Sequence, residues 1–342
     1  MGTGPAELEA LDNTIGMDMA YGIAVLAIAL LLDYMIGDPW DWLHPVQVIG
    51  GWIERVSKFC LNHFDSPKTL KIAGVFLGLS TIMGTGLVVW GIVYGARWVH
   101  PLLGVVIESI LVASGLAGRS LRDAAQDVLE PLNVGDMETA REKMALYVGR
   151  DTQQLDKPGL LRAVLETVSE NATDGVLAPF GFAMVGAFLP TGSAALVLAY
   201  KAASTLDSMV GYKTPPYQQL GWFSARFEDA LTWLPCRLVV ATIALLSGTP
   251  RQVWLLCRRD APQDPSPNAG WSECAYAAAL GVQVGGVNYY NGQKKEKPLL
   301  GDRHQEISPN SIAQALRLTR WSLLLWMGFT MAIALVITWL SS

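Results

Sequence analysis

Between residues 166 and 175 the chain reads Glu166-Thr-Val-Ser-Glu170-Asn171-Ala-Thr-Asp174-Gly175, and 25 uncharged residues, Val176 to Tyr200, follow directly. On a helix, Glu166, Glu170 and Asp174 are spaced i, i+4, i+8 and share roughly one face, where carboxylates repel unless positive charge lies between them. A divalent cation is the obvious partner. Magnesium prefers carboxylate oxygens together with water and substrate phosphates. Glu166, Glu170 and Asp174 are therefore the metal candidates, with Asn171 as a further oxygen donor, and Arg150 in Gly149-Arg150-Asp151-Thr152 suits a phosphate. The plainer alternative is a solvated helix face. The absence of lysines four residues on, and the apolar Ala178-Pro179-Phe180 that follows, argue against it.

Three other polar blocks carry chemistry. Lys201, Thr205 and Ser208 recur at helical spacing beside Asp207, a cationic and hydroxyl-bearing face suited to an anion. Lys213, Arg226 and Asp229 follow; a snorkelling Lys201 and a simple i,i+3 pair of Arg226 with Asp229 are the bland readings. Upstream, Gly37-Asp38-Pro39 and His44-Pro45 either wall a site or merely end one helix and shape a turn. The last block holds Asn268, Trp271 and Glu273, then Gly285-Gly286-Val-Asn288-Tyr289-Tyr290-Asn291-Gly292, then Lys294, Lys295, Glu296 and Lys297. Glycines beside Asn and Tyr let backbone N–H groups approach a ligand, while a surface loop punctuated by turns is the alternative. Neither glycine run matches a P-loop or a Rossmann fingerprint.

The elements that must position these groups lie in a membrane. The chain of 342 residues is 51% hydrophobic and only 16% charged, too few charges for an ordinary soluble protein of this size. Ile72 to Ala96, Val176 to Tyr200 and Trp321 to Ser342 are uncharged and exceed the roughly 20 residues that cross a bilayer. Met17 to Ile36, with Asp33 near its end, and Trp98 to Gly118, with Glu108 in its middle, are further candidates. The expected fold is an all-α polytopic membrane protein of four to five transmembrane helices with re-entrant helical hairpins and cytoplasmic helical loops. Residues 1–16 read as an extension and 17–342 as a single membrane-embedded catalytic domain.

The first basic residue is Arg55, which places the N-terminus outside and the polar blocks on the cytoplasmic face. Val176–Tyr200, broken at Leu189-Pro190-Thr191-Gly192, and Leu231–Thr249, containing Pro235 and Arg237, are expected either as re-entrant hairpins or as kinked full spans. Cys60, Cys236, Cys257 and Cys274 show no metal-ligand spacing and read as reduced, packed thiols.

Taken in order, several motifs resemble one family. They are Gly37-Asp38-Pro39 with His44-Pro45-Val46; Gly149-Arg150-Asp151-Thr152; Glu166 through Gly175; Leu206-Asp207-Ser208-Met209-Val210-Gly211-Tyr212; Pro265-Ser266-Pro267-Asn268-Ala269-Gly270-Trp271; and Asn288-Tyr289-Tyr290. The combination closely resembles the integral-membrane adenosylcobinamide-phosphate synthases of cobalamin biosynthesis. The resemblance implies a multi-pass protein of the prokaryotic inner membrane with its active site facing the cytoplasm. Its activity would be ATP-dependent amide ligation of (R)-1-aminopropan-2-ol O-phosphate to the free propionate of adenosylcobyric acid, a cobalt corrinoid. ATP and Mg²⁺ are the implied cofactors. Glu166, Glu170, Asn171 and Asp174 would hold the metal, while Arg150, Asp151, Lys201 and Asp207 would act in the chemistry, Asp207 taking the amine proton. Lys213 and Arg226 would hold phosphates, and Trp271, Tyr289, Tyr290, Asn268, Asn288, His44 and Asp38 would line the substrate site. Partners are then the corrinoid and amine-phosphate substrates, the lipid bilayer and other late cobalamin-pathway enzymes, with no nucleic acid. A membrane transporter or sensor with a polar cytoplasmic site is the rival reading, since charged groups near hydrophobic hairpins also mark permeation pathways.

Overall fold

The structure, a computed structural model, describes residues 5–37 and 44–341. Asp38 lies outside the described residues. In chain order the helices are α1 (Pro5–Met35), α2 (Pro45–His63), α3 (Pro67–Val99), α4 (Pro101–Ala113), α5 (Gly118–Asn133), α6 (Met137–Ala145) and α7 (Lys157–Asn171). A π-helical segment, Ala172–Leu177, leads into α8 (Ala178–Gly186), α9 (Ser193–Val210), α10 (Trp222–Leu246), α11 (Pro250–Asp260) and α12 (Ala269–Leu280). Strands β1 (Val284–Tyr290) and β2 (Gln293–Leu300) precede the last helix, α13 (Pro309–Ser341). Proline opens α2, α3, α4, α11 and α13, where its fixed φ suits the first turn and its missing N–H costs nothing.

Five helical stretches are long and apolar enough to cross a membrane: Gly16–Met35, Pro67–Val99, Pro101–Asn133, Trp222–Leu246 and Pro309–Leu340. The fold is thus the helical, multi-pass one expected. Phe76, Leu87 and Val88 of α3 and Phe329, Leu335 and Val336 of α13 are exposed, an arrangement unfavourable in water and natural against hydrocarbon. Two local expectations change. Leu231–Thr249 is no hairpin, because α10 runs unbroken through Pro235 to Leu246. The glycine-rich last block is an antiparallel two-stranded sheet, the exception to an otherwise helical chain among the described residues.

By contacts the chain divides into two compact units, Met1–Ala117 with Pro179–Ala230 and Leu324–Ser342, and Gly118–Ala178 with Leu231–Leu323. In the first, Ile49, Ile53 and Cys60 of α2 pack with Leu77 of α3, with Ala202, Leu206 and Val210 of α9, and with Leu220. The four- and seven-residue spacings on α2 keep one apolar face towards that core. Residues 187–192 form the tight turn joining α8 to α9, and Gly192 sits at φ 77, a region that favours glycine. Beside it lies Glu108, buried on α4 within a membrane-spanning stretch. Its Oε1 accepts the Ser193 N–H at the start of α9 at 2.6 Å, and its Oε2 accepts the Tyr21 hydroxyl at 2.9 Å. A carboxylate in an apolar span needs such partners, and a helix N-terminus supplies both donors and positive potential.

In the second unit, Leu121, Ala125, Val128 and Leu132 line the buried face of α5, which packs with α6 and α7. The sheet β1–β2 packs with α7 and α12. Its register pairs Gly286 with Lys297 and Asn288 with Lys295, with an irregularity between Val284 and Gly286. The connecting residues, Asn291 at φ 51 and Gly292 at φ 74, form the left-handed pair that matches the twist of a two-residue hairpin.

Candidate active site

Helix α7 is opened by Asp156, whose Oδ1 accepts the Gly159 N–H at 2.9 Å. It carries Arg162, Glu166 and Glu170 at successive four-residue steps and packs with β1 and α12. Glu166 is 1% exposed and fully engaged in charge. Its Oε2 lies 2.5 Å from Arg150 Nη1, and its Oε1 accepts the Gly285 N–H at 2.8 Å with Arg162 Nε at 4.0 Å. The cation the acidic stripe calls for at this position is therefore a guanidinium pair. Arg162 stands four residues before Glu166, so the helical partner missing on the C-terminal side is present on the other.

The two arginines also fix the hairpin. Arg150 Nη1 and Arg162 Nη2 donate to Asn288 Oδ1 at 2.9 and 3.4 Å. Arg162 further donates to the carbonyls of Gly285 and Val287. At the other end, Asp151 accepts the N–H groups of Asn291 and Gly292 at 3.1 and 2.7 Å, while its own N–H donates to Tyr289 O at 2.8 Å. Asp151 thus clasps the hairpin tip. Asp151→Ala is expected to loosen it by about 2–3 kcal/mol, the scale of hydrogen bonds to a charged acceptor, seen as faster amide exchange across β1 and β2 with α7 unaffected.

Towards the other end of the hairpin, where Lys297 of β2 pairs with Gly286, Lys297 meets Glu273 of α12, with Nζ 3.2 Å from Oε1. The Glu273 side chain is wholly buried, and that of Lys297 is 23% exposed. Burial pushes the Glu273 carboxyl up to about 8; Lys297 opposes the shift while Glu166 and Glu170 add to it. Glu170 is half-buried and is likewise raised, chiefly by burial. For Lys297, burial acts downward, yet the surrounding charges of Glu273, Glu170 and Glu166 outweigh it and hold the ammonium charged. The sign for Glu273 follows from linkage: the stability tied to its proton is complete below the ordinary carboxylate range and is lost as pH rises through about 8. In the infrared, a protonated carboxyl band that disappears near pH 8 in the wild type and is absent in Glu273→Gln is the expected signature.

The buried side-chain atoms lacking a hydrogen-bond partner concentrate here. Among the described residues they are Arg162 Nε, Glu166 Oε2, Asp264 Oδ2, Glu273 Oε2 and Asn288 Nδ2, against Ser109 Oγ and Ser224 Oγ elsewhere. Glu166 Oε2 meets Arg150 as a charge pair without hydrogen-bond alignment. Native interiors leave few such groups, so a cluster of them calls for a partner such as water, an ion or a polar ligand.

The remaining expected residues fall in several places. Asn171 is exposed and donates to Thr167 O of its own helix at 2.9 Å. Asp174 lies in the π-helical segment, whose wider turns change the phase an α-helix would give it; the expected single face ends at Glu170. Thr173 of that segment bonds Ser272 at 2.5 Å. Asn268 starts α12 and accepts from Arg237 at 3.0 Å. The Arg237 guanidinium lies 4.7 Å from the Trp271 ring and 4.9 Å from that of Trp233. Tyr289 is exposed, and Lys295 lies 5.4 Å from the Tyr290 ring. Lys201, Asp207, Lys213 and Arg226 belong to the other unit, with Lys213 and Arg226 exposed. Burial raises the Asp207 carboxyl, helped by Asp229 and opposed by Lys213. His44 caps α2, its Nδ1 accepting the Val46 N–H at 3.3 Å.

A model of the CobD/CbiB protein family matches residues 26–319, which contain every described residue of this cluster. A cobalamin biosynthesis protein CobD from Synechocystis sp. is 52% identical over 318 residues, covering 92% of each chain. Cobalamin biosynthesis proteins CbiB from Salmonella arizonae and Salmonella typhimurium are 41% and 40% identical over 93% and 92% of this chain and 98% and 96% of their own. The chain belongs to the CobD/CbiB family. That is the family its ordered motifs resemble, and the likeness runs over nearly the full length of these relatives. No solved structure matches. For this CobD/CbiB protein, sequence reasoning does not reach Arg162, and it places Glu273 and Lys297 in the last polar block without giving either a role. The signals available were the Arg162–Glu166 spacing and the Asn291-Gly292 hairpin, which turns Lys297 back towards α12.

Proposed function

We propose that this protein is an adenosylcobinamide-phosphate synthase, an amide ligase that joins the amine of (R)-1-aminopropan-2-ol O-phosphate to the free propionate of adenosylcobyric acid with ATP as energy source. Membership of a family whose relatives are named cobalamin biosynthesis proteins is the observation that carries this reading. The acid–base cluster of α7, α12 and the hairpin supports it. A carboxylate is a poor electrophile, so the propionate must first be activated by phosphoryl transfer, which calls for fixed cations beside acidic groups. Arg150, Arg162 and Lys297 are such cations, each oriented by buried carboxylate or amide oxygen.

Magnesium is part of this proposal, and the donor set limits how it would be held. Glu166 is taken up by Arg150, and among the described residues no group of three or more His, Cys, Asp or Glu side chains is placed to hold a metal ion. A cage of Glu166, Glu170 and Asp174 therefore does not fit. Glu170 would serve an ion that brings its own phosphates and water, neutralising charge on the phosphoryl group. We further propose that the site faces the cytoplasm of a prokaryotic inner membrane and that the corrinoid rests against the aromatic groups near Arg237.

The test is to incubate the purified protein in nanodiscs with adenosylcobyric acid, the amine phosphate, ATP and Mg²⁺. Amide product and ATP cleavage that require all components support the reading. A protein that makes no amide and cleaves no ATP is not this ligase.

A further inference from the structure

The sequence directs attention to Lys201, Lys213 and Arg226 as phosphate holders, yet the hairpin carries a partly exposed cation with a buried acidic partner. Lys297 is tied from below by Glu273, whose side chain has no solvent exposure, while 23% of the lysine remains accessible. Its backbone is set by pairing with Gly286. That strand is itself fixed at its base by Arg162 and Glu166 and at its tip by Asp151. Lys294 and Lys295 lie further along the same strand, and Lys294 is spent on an exposed pair with Glu296 at 2.9 Å. Lys297 differs in being backed by carboxylates on two helices. Glu273 Oε2 on α12 and Asn288 Nδ2 on β1 are buried without a hydrogen-bond partner, so the polar groups here are incompletely matched within the protein.

A surface lysine needs no such foundation. A buried carboxyl oxygen beneath a partly exposed ammonium accepts one of its N–H groups, orients it and leaves the others to face outward. We propose that Lys297 is the cation this site presents to an oxyanion of a substrate, and that Glu273 is its positioning residue. The inference rests on the ligase reading and deepens it. The shared chemistry is a phosphate or carboxylate oxygen, for which three substrates are sources: ATP, the amine phosphate and the corrinoid propionate.

The experiment uses the full chain in nanodiscs and measures kcat and KM for each of the three substrates in turn, with wild type, Lys297→Arg, Lys297→Gln, Lys297→Met and Glu273→Gln. Lys297→Gln keeps a hydrogen-bond donor for Glu273 and guards against failure of the methionine variant to fold. Loss of the charge is expected to raise KM for one substrate by on the order of tenfold or more, with the other two KM values little changed, and that substrate identifies the oxyanion. Lys297→Arg should recover most of the affinity, and Glu273→Gln should weaken binding of the same substrate. The proposal is overturned if Lys297→Gln leaves all three KM values unchanged, or if arginine and glutamine variants are equally impaired. A wild type that forms no amide overturns the ligase reading instead, so the two failures are distinct.

Discussion

Glu166→Ala is expected to destabilise the protein by about 3–5 kcal/mol, the cost of removing one partner from a buried ion pair. The substitution leaves Arg150, itself 9% exposed, without its counter-charge and deprives the Gly285 N–H of its acceptor. Because Arg150 also binds Asn288, the damage should spread to the hairpin. Detergent-solubilised protein should show a lowered unfolding midpoint and loss of hairpin amide protection, while membrane insertion, driven by the apolar spans, persists. Replacing Glu166 and Arg150 together by apolar residues of similar size should restore part of the loss, since the stranded charge is then gone.

Glu170 should behave in the opposite way. Burial and the neighbouring acids penalise its charged form, so the folded state carries a cost that grows as pH rises above the ordinary carboxylate range. Glu170→Gln removes that cost and should leave stability unchanged or slightly higher at pH 8. Ligation, in contrast, should fall by about a hundredfold or more, as expected when a charged group acting on a phosphoryl or proton transfer is lost. Thermal unfolding and amide formation measured on the same preparation separate the two. An active Glu170→Gln would return this residue to a structural role.

These two neighbours show where sequence alone was informative. The membrane class and the helical character followed from composition and length, because a span must be long and apolar whatever its partners. The acidic stripe was also visible as an anomaly. Its division was not, since whether Glu166 meets a metal or a guanidinium depends on a loop residue, Arg150, and on a hairpin more than a hundred residues away. Asp174 was assigned to the stripe by α-helical spacing, and nothing local announced the π-helical turn that changes its phase. The Asn291-Gly292 signal is legible as a turn, but the block reads equally as a ligand cradle or a surface loop, and neither reading gives Lys297 a role. Pro235 and Arg237 look like breaks in an apolar segment, yet tertiary contacts with Asn268 and Trp271 accommodate them in one helix.

In the proposed ligase reaction, ATP drives amide formation by phosphorylating the corrinoid propionate. Adenosylcobyric acid labelled with ¹⁸O in its free carboxyl tests it directly, with mass spectrometry of the amide and the released phosphate. The expected result is amide that has lost one labelled oxygen and inorganic phosphate that has gained it. Label retained in unreacted acid with no amide, or amide formed without transfer of ¹⁸O to phosphate, would contradict it.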